Sequence, residues 1–460
     1  MNDRLPSGGP GSARQGWWQG RNEREASRVE MQALKGFKDI LPVESGTWQA
    51  MEARAREVLA RHGCAEIRVP LLEKTELFAR SIGQATDIVE KEMYSFTDRN
   101  GESVTLRPEG TASVLRAFVE HGLHTVQAVQ RLYTLGPMFR HERPQKGRLR
   151  QFHQLSVEVI GSASPYVDAE VMAMAWSVLA ANGVAASLEI NSLGCPGCRP
   201  AYRELLLTFL NDLAAELCPD CQRRRSTNPL RVMDCKSSHC QERYQGLPKM
   251  KDHLCGACQE HFVRVQGSLQ ALGIPYAVNP AMVRGLDYYV RTAFELVTDQ
   301  LGAQAAVGAG GRYDGLIAAL GGPDLPAIGF AIGLERLALL VEQAAAAAVS
   351  PPALDLFLVG LGQEATGRLM ALAHAARGLG LRVGQDFEGR SLKAQLKLAD
   401  RLGARWVLVL GDNELRQGQA LMKEMASGRQ QPLPVAPAPR AWAEALMPLC
   451  QPSSTTPGPI

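Results

Sequence analysis

Two short apolar runs, Leu132-Tyr133-Thr134-Leu135 and Leu155-Ser156-Val157-Glu158-Val159-Ile160, flank a loop that holds Pro144, Gly147 and four cations, Arg143, Lys146, Arg148 and Arg150. Their length and their β-branched and aromatic content read as two strands, and the loop between them makes a hairpin that is basic at its tip. Its base is different. Arg140 and Glu142 stand at the entrance to the loop, and Gln154 and Glu158 at the exit. Solubility accounts for Lys146 and Arg150, but not for Glu158, a carboxylate inside an apolar strand, which is costly unless a cationic or hydrogen-bonding ligand meets it. Arg140 offers a planar fork for a phosphate or carboxylate, and Phe152 a face on which a base can stack. A nucleotide beside a polar small molecule would use all of them.

Phe139-Arg140-His141-Glu142-Arg143-Pro144-Gln145, the basic loop and Arg150-Gln151-Phe152-His153-Gln154 together resemble the second signature motif of class II aminoacyl-tRNA synthetases, in its histidyl-tRNA synthetase version. Val283-Arg284-Gly285-Leu286-Asp287-Tyr288-Tyr289 and Ala309-Gly310-Gly311-Arg312-Tyr313-Asp314-Gly315-Leu316 are similar to the two histidine-specific blocks of that family. Pro326 to Leu337 resembles the third class II motif, a strand leading into a helix with Arg336 in its first turns. The resemblance covers about residues 34 to 449 and implies an α+β fold. In it, an antiparallel class II sheet flanked by helices carries a Cys-rich, mainly helical insertion, and an α/β anticodon-binding domain follows.

The resemblance also implies roles. Glu109 and Thr111 would contact the histidine α-amino group, and Gln154, Glu158, Tyr288 and Tyr289 would complete the histidine site. Arg284 would reach the histidine carboxylate and the α-phosphate. Arg140, Glu142, Phe152 and Arg336 would bind ATP, Arg336 stacking on adenine opposite Phe152 and neutralising the γ-phosphate. Arg140, Arg284 and Arg336 are the catalytic candidates. Arg143, Gln145, Lys146 and Arg148 would meet the tRNA acceptor end. Gly308, Gly310 and Gly311 are read as letting backbone approach a ligand closely.

The chain of 460 residues is 45% hydrophobic and 21% charged, ordinary for a globular protein of two to four domains. A formal net charge of only +3 means that local patches, not a globally basic body, must hold any nucleic acid. No apolar run approaches the ~20 residues of a membrane span, and the polar start has no signal-peptide core, so a cytoplasmic location is expected.

In chain order, residues 1–33 read as a disordered tail without periodicity. Trp48, Met51, Ala55, Val58 and Leu59 have helical spacing, with Ser45 or Thr47 as cap and Gly63 as stop. Glu66 to Pro70 reads as a strand, and this helix and strand resemble the first class II motif, at the family's dimer interface, so a homodimer is expected. Asn100-Gly101 marks a hairpin. Thr111 reads as the N-cap of a helix from Ala112 to Val119. Residues 34–194 and 271–343 are assigned to the catalytic domain and 195–270 to the insertion. The alanine run after Glu342 ends in Ser350-Pro351-Pro352 and reads as a linker. Residues 354–449 alternate as β and α units with a parallel-leaning sheet, closing on a helix from Pro439 that Pro448 ends. Residues 450–460 form a polar tail.

Eight of the ten cysteines lie between Cys195 and Cys258. Cys195/Cys198, Cys218/Cys221 and Cys255/Cys258 are Cys-x-x-Cys pairs, and Cys235/Cys240 is a looser one. Four pairs fit two tetrathiolate zinc sites, because zinc takes four soft ligands in a tetrahedron. An iron–sulfur cluster is the alternative, and His239 is an alternative ligand in the looser pair. Between the first two pairs, Arg199 to Leu217 is helical in pattern, and such a helix spans ~28 Å at ~1.5 Å per residue. The first pair must therefore share its ion with the third or the fourth.

The activity implied is charging of histidine tRNA with L-histidine, using ATP with Mg²⁺. A histidine-sensing regulatory subunit of ATP phosphoribosyltransferase is the rival reading. Such a paralogue typically lacks the anticodon-binding domain and degrades parts of the motifs, whereas Glu109, Arg140, Arg284 and Arg336 are all present here. A synthetase for another amino acid does not fit the two histidine-like blocks.

Overall fold

The structure is a computed structural model that describes residues 31–83, 86–235, 237–283, 286–301, 306–344 and 354–450. Arg284, Gly285, most of the expected linker and the expected tails at residues 1–30 and 451–460 lie outside the described residues. Two compact units are present, one spanning residues 33–349 and the other containing residues 354–450.

The first unit begins with helix α1 (Pro42–Arg61), which buries the five expected side chains, Trp48, Met51, Ala55, Val58 and Leu59. It starts a turn earlier than Ser45 or Thr47. Pro42 opens it, since a proline has no N–H to leave unpaired and its φ is already helical. Ser45 is inside the first turn, where its hydroxyl donates back to the Leu41 carbonyl at 3.0 Å. The strand expected at Glu66–Pro70 is shorter: β1 is Ala65–Glu66, and only the Ile67 amide adds a further bond, 2.8 Å to the Tyr133 carbonyl.

The hairpin strands are β5 (Gln130–Phe139) and β6 (Gln151–Ile160), paired over their full length. They sit in an eight-stranded sheet ordered β1-β5-β6-β11-β10-β9-β7-β8. The other members are β7 (Ser187–Ser192), β8 (Tyr276–Val278), β9 (Val290–Val297), β10 (Ala306–Arg312) and β11 (Ala327–Gly333). Pairing is antiparallel from β5 to β7, while β1 and β8 add parallel edges. A separate three-stranded sheet contains β2 (Leu72–Lys74), β3 (Tyr94–Thr97) and β4 (Ser103–Leu106), and the Asn100-Gly101 turn joins the last two.

Side chains alternate across a strand, and that alternation separates core from site. Leu155, Val157 and Val159 of β6 and Ile328, Phe330 and Ile332 of β11 face one way, into a core shared with α1 and with α4 (Pro165–Ala181). Gln154, Ser156 and Glu158 therefore face the other way, and register sets them opposite Gly333, Ala331 and Gly329. Large polar groups on one strand are accommodated by the smallest residues on the next. Helix α2 (Thr75–Ile82) and helix α3 (Thr111–Glu120) lie on this side, the latter contributing Val114, Leu115 and Phe118 to a second core.

Between β7 and β8 the chain forms helices α5 (Arg199–Asp212), α6 (Pro219–Thr227), α7 (Ser238–Arg243) and α8 (Gly256–Ala271). The cysteines, Tyr202, Leu206 and Leu210 make a small core there. Helix α8 returns to the main body, where Phe262, Val265 and Leu269 join the core under the sheet. Beside them Asp168, fully buried, accepts hydrogen bonds from Thr292 Oγ1 at 2.6 Å and Arg312 Nε at 3.1 Å, and His261 Nε2 lies 2.7 Å from it. Four elements meet at one carboxylate. Helix α9 (Leu334–Ala344) closes the unit.

In the second unit β12 (Leu356–Leu361), β13 (Val383–Gln385) and β14 (Trp406–Gly411) are parallel, as the alternation of β and α suggests. Two antiparallel strands follow that the sequence reading missed, β15 (Gln419–Glu424) and β16 (Gln430–Pro434). Pro432 and Pro434 disguise β16, and they are tolerated because it is an edge strand. Helices α10 (Gln363–Gly378) and α12 (Pro439–Cys450) share one core, and α11 (Leu392–Arg401) packs in the other. Pro448 does not end α12. The helix continues to Cys450, whose burial beside Trp442 and Leu446 holds its last turn.

Asp168→Ala should destabilise the first unit by roughly 3–5 kcal/mol, because it takes from the buried Arg312 guanidinium its fully buried carboxylate partner and leaves only the partly exposed Asp314, 3.1 Å away. Chemical denaturation measures this, and a loss below ~0.5 kcal/mol, the scale of ordinary surface changes, would contradict the assignment of Asp168 as the hub of the core.

Candidate active site

On the polar face of β6 a cavity of about 340 Å³ opens between the hairpin, the start of α3, strands β9 to β11 and the start of α9. Ten of the expected residues line it: Glu109, Thr111, Arg140, Glu142, Arg148, Phe152, Gln154, Tyr288, Tyr289 and Arg336. Glu158 stands directly behind the wall. Arg143, Gln145 and Lys146 are exposed on the hairpin loop, away from the lining.

One end of the cavity is acidic and deeply buried. Thr111 is not the N-cap of α3; Glu109 takes that work from two residues upstream, its carboxylate accepting the Thr111 and Ala112 amides at 2.7 Å each. An anion there also suits the helix N-terminus. Thr111 thereby turns its hydroxyl to Glu158, donating at 2.7 Å, while the Tyr313 hydroxyl donates to the other Glu158 oxygen. Burial pushes the Glu158 carboxyl up to about 8, against the pull of these two hydroxyl donors, and neighbouring Glu109 adds to the rise. Burial raises Glu109 as well, despite its two amide bonds. Glu158 fits only because residue 329 is glycine: a Cβ there would lie 2.1 Å from Glu158 Oε2. Tyr288, Tyr289 and Tyr313 cluster beside the carboxyls, with Tyr288 4.6 Å from Tyr289 and 5.6 Å from Tyr313 between ring centroids. Gln154 keeps its side-chain carbonyl oxygen buried with no partner among the described residues.

The other end is cationic and half-exposed. Arg140 donates from Nε to the Pro108 carbonyl at 2.8 Å and sets its guanidinium 5.4 Å from the centre of the Phe152 ring. Arg148 folds back from the loop into an ion pair with Glu142, so it belongs to the cavity more than to the exposed loop. Arg336 donates to the carbonyls of Gly147, at 3.3 Å, and Ala306, bridging the hairpin loop to β10. Burial lowers the Arg336 pKa, and Arg148 and Arg140 lower it further by like-charge repulsion. Three guanidinium groups held this close call for a polyanion. The reading had missed Glu335, which takes the His153 amide and lies 2.9 Å from His153 Nδ1, and also Tyr313, whose residue type within the second histidine-like block was the available signal.

Gly310 and Gly311 are glycine for a reason other than a ligand's approach. A Cβ at Gly310 would strike the Gly329 carbonyl at 2.2 Å, and one at Gly311 the Thr292 carbonyl at 2.6 Å. Neighbouring strands, not a ligand, exclude side chains at both positions. Gly308 does line the cavity.

The eight insertion thiols form two groups, Cys195/Cys198/Cys255/Cys258 and Cys218/Cys221/Cys235/Cys240, each with its sulfurs within 4.8 Å of one another. The first pair joins the fourth, one of the two partners that the intervening α5 leaves open. All are free thiols. Sulfur separations of 3.6 Å (Cys195–Cys198), 3.9 Å (Cys195–Cys255) and 3.8 Å (Cys218–Cys235) are those of a tetrahedron around one ion, whose edge at a ~2.3 Å metal–sulfur bond is about 3.8 Å. Backbone amides already point at the sulfurs, Cys255 N–H to Cys198 Sγ at 3.2 Å and Cys218 N–H to Cys240 Sγ at 3.3 Å. The Cys221 amide, foremost among several donors, draws the Cys218 thiol down to about 7. His239 is not a member; its Nε2 lies 3.0 Å from the Glu216 carbonyl.

A family model described as Histidyl-tRNA synthetase matches residues 36–198 and 230–337, and one described as Anticodon binding domain matches residues 355–442. The histidine–tRNA ligase of Desulfotalea psychrophila is 56% identical over 403 residues, which is 87% of this chain and 93% of that protein. The histidine–tRNA ligase of Trichlorobacter lovleyi is 54% identical over 406 residues, 88% of this chain and 96% of that one. The crystal structure of apo S. aureus histidyl-tRNA synthetase superposes with a TM-score of 0.76 at 36% identity, covering 90% of this chain and 99% of that one. The antiparallel sheet, the polar cavity and these likenesses agree, and the chain belongs to the histidyl-tRNA synthetase family.

Proposed function

We propose that the cavity holds L-histidine at its carboxyl end and ATP, as its Mg²⁺ complex, at its guanidinium end. The chain is a histidine–tRNA ligase, and the observation that supports this division of its site is the polarity of a single cavity. Glu109 and Glu158 stand at one end and Arg140, Arg148 and Arg336 at the other. A histidine carboxylate oxygen attacks the α-phosphorus and pyrophosphate leaves; a hydroxyl at the 3′ end of histidine tRNA then attacks the carbonyl of the adenylate, takes the acyl group, and AMP leaves. No protein nucleophile is needed. The work is positioning and charge stabilisation: Arg140, Arg336 and Arg284 spread the negative charge that builds on the phosphates. Gln154 and the tyrosines orient the amino acid, and Glu109 and Thr111 meet its α-amino group.

Arg143, Gln145 and Lys146 would guide the acceptor end, and the second unit the anticodon. A cytoplasmic homodimer belongs to the same proposal by family analogy. Purified protein should exchange pyrophosphate into ATP with histidine and with no other amino acid at comparable rate. Exchange that is independent of histidine, or equally fast with a second amino acid, would overturn the reading.

The two thiol groups are proposed to bind one zinc ion each. The sulfur spacing supports a single ion, since the several irons of a cluster would hold four thiolates farther apart. Four protein ligands leave no open position, so each ion is structural. Protein purified without added zinc should carry about two zinc ions per chain, and chelation should lower its melting temperature. Metal-free protein with eight freely titratable thiols and unchanged melting would contradict this.

A further inference from the structure

The segment Leu286 to Tyr289 carries two of the first cavity's tyrosines and also faces the insertion across open space. A second cavity, of about 210 Å³, lies there between the segment and the insertion, lined in part by Met233, Met250, Met282 and Leu286. What bridges that space is a set of polar ties. Arg199 donates its guanidinium to the Tyr289 carbonyl and, from Nε at 3.3 Å, to the Leu193 carbonyl. Asn228 donates from Nδ2 to Asp287 Oδ1 at 2.7 Å. Where the chain enters β9, Arg291 exchanges backbone bonds with the two residues that lead into the insertion: its amide donates to the Gly194 carbonyl at 2.8 Å, and its carbonyl accepts the Leu193 amide at 2.7 Å. Arg291 does this at φ 52°, the only non-glycine positive φ among the described residues, and such a conformation persists only when its surroundings enforce it.

Each side-chain tie originates beside a thiol group. Arg199 follows Cys198 directly and opens α5, and Asn228 sits between Cys221 and Cys235. The first group is in turn fixed to the core, because Cys258 lies one turn before His261 on α8, and His261 meets Asp168 and, through it, Arg312. A metal joining Cys195/Cys198 to Cys255/Cys258 would therefore lock Arg199 to the same hub that organises the sheet. The second group would fix the short helical turn that presents Asn228 and also Arg231, which donates to Asp87 at 3.1 Å.

We infer that Arg199 and Asn228 are positioning residues, set by the two metal-ready thiol groups, that hold the segment Leu286 to Tyr289 in its histidine-binding shape, so that affinity for histidine depends on the insertion. This rests on the reading that the segment contacts histidine. A residue that only shapes the amino-acid side of the cavity leaves the ATP side alone, which gives the inference a signature that general destabilisation lacks.

The test is pyrophosphate exchange by the full chain, with histidine and ATP varied separately and with zinc content and melting recorded for each variant. Arg199→Ala should raise the KM for histidine about tenfold or more, while the KM for ATP and kcat stay within about twofold. Arg199→Lys should restore part of the loss, since one donor replaces a fork. Asn228→Ala should give a smaller rise of the same kind. An unchanged histidine KM in folded, zinc-replete variants, or equal changes in the two KM values, would overturn the inference. If Arg199→Ala fails to fold, Asn228→Ala decides alone, and no effect there overturns it. Arg284→Ala in the same assay separates the two levels: if it too leaves histidine activation untouched, the reading of the segment has failed and not only that of its supports.

Discussion

Glu158 is the constraint around which the site is arranged. A carboxyl group with no exposed surface, in a strand whose alternate residues build the main core, is expensive to bury charged, and burial holds it up at about 8. Its neighbours follow from that cost. Gly329 must lack a side chain to leave it room, Thr111 and Tyr313 must supply hydroxyls, and α3 must start where Glu109 can cap it so that Thr111 is free to turn inward. The carboxyl end of the cavity is thus one connected unit reaching from α3 through β6 to β11.

The guanidinium end is built on a different principle. Arg140, Arg148 and Arg336 are half-exposed, line the cavity and are tied to main-chain carbonyls or to Glu142, which offsets part of their mutual repulsion. Preorganised charge of this kind acts on a transition state without reorganising at the moment of reaction. The two ends share the rigid hairpin, whose register over ten residue pairs fixes Arg140 and Gln154 in relation to each other. Behind both, the Asp168 hub joins the sheet to α8 and, through that helix, the insertion to the body.

Much of this was legible in the residues. Glu158 stands out as a charge in an apolar strand, and the helical stretch after Cys198 by itself limits the thiol pairing. What stayed hidden depended on contacts distant in sequence. No local pattern says that Asp168 will meet Arg312 and His261, since the three lie on separate elements far apart in the sequence. Gly310 and Gly311 looked like ligand contacts because a glycine carries no sign of which neighbour excludes its side chain. Pro432 and Pro434 hid β16, for a proline's tolerance depends on whether its strand is an edge, and that is a property of the whole sheet. Pro448 misled in the same way: the tertiary burial of Cys450 outweighs the local signal.

The account's central claim, that a carboxyl group held protonated by burial receives the ammonium group of an amino acid, is tested most directly by proton release on binding. At pH 7 a group titrating at about 8 carries its proton in most molecules, and a neighbouring ammonium favours the carboxylate and pushes that proton off. Titration calorimetry of histidine binding at pH 7, in buffers of different ionisation enthalpy, should therefore show release approaching one proton per site, and Glu158→Gln should abolish it. Binding by the unaltered chain with no proton released, or equal release by the glutamine variant, would contradict the account.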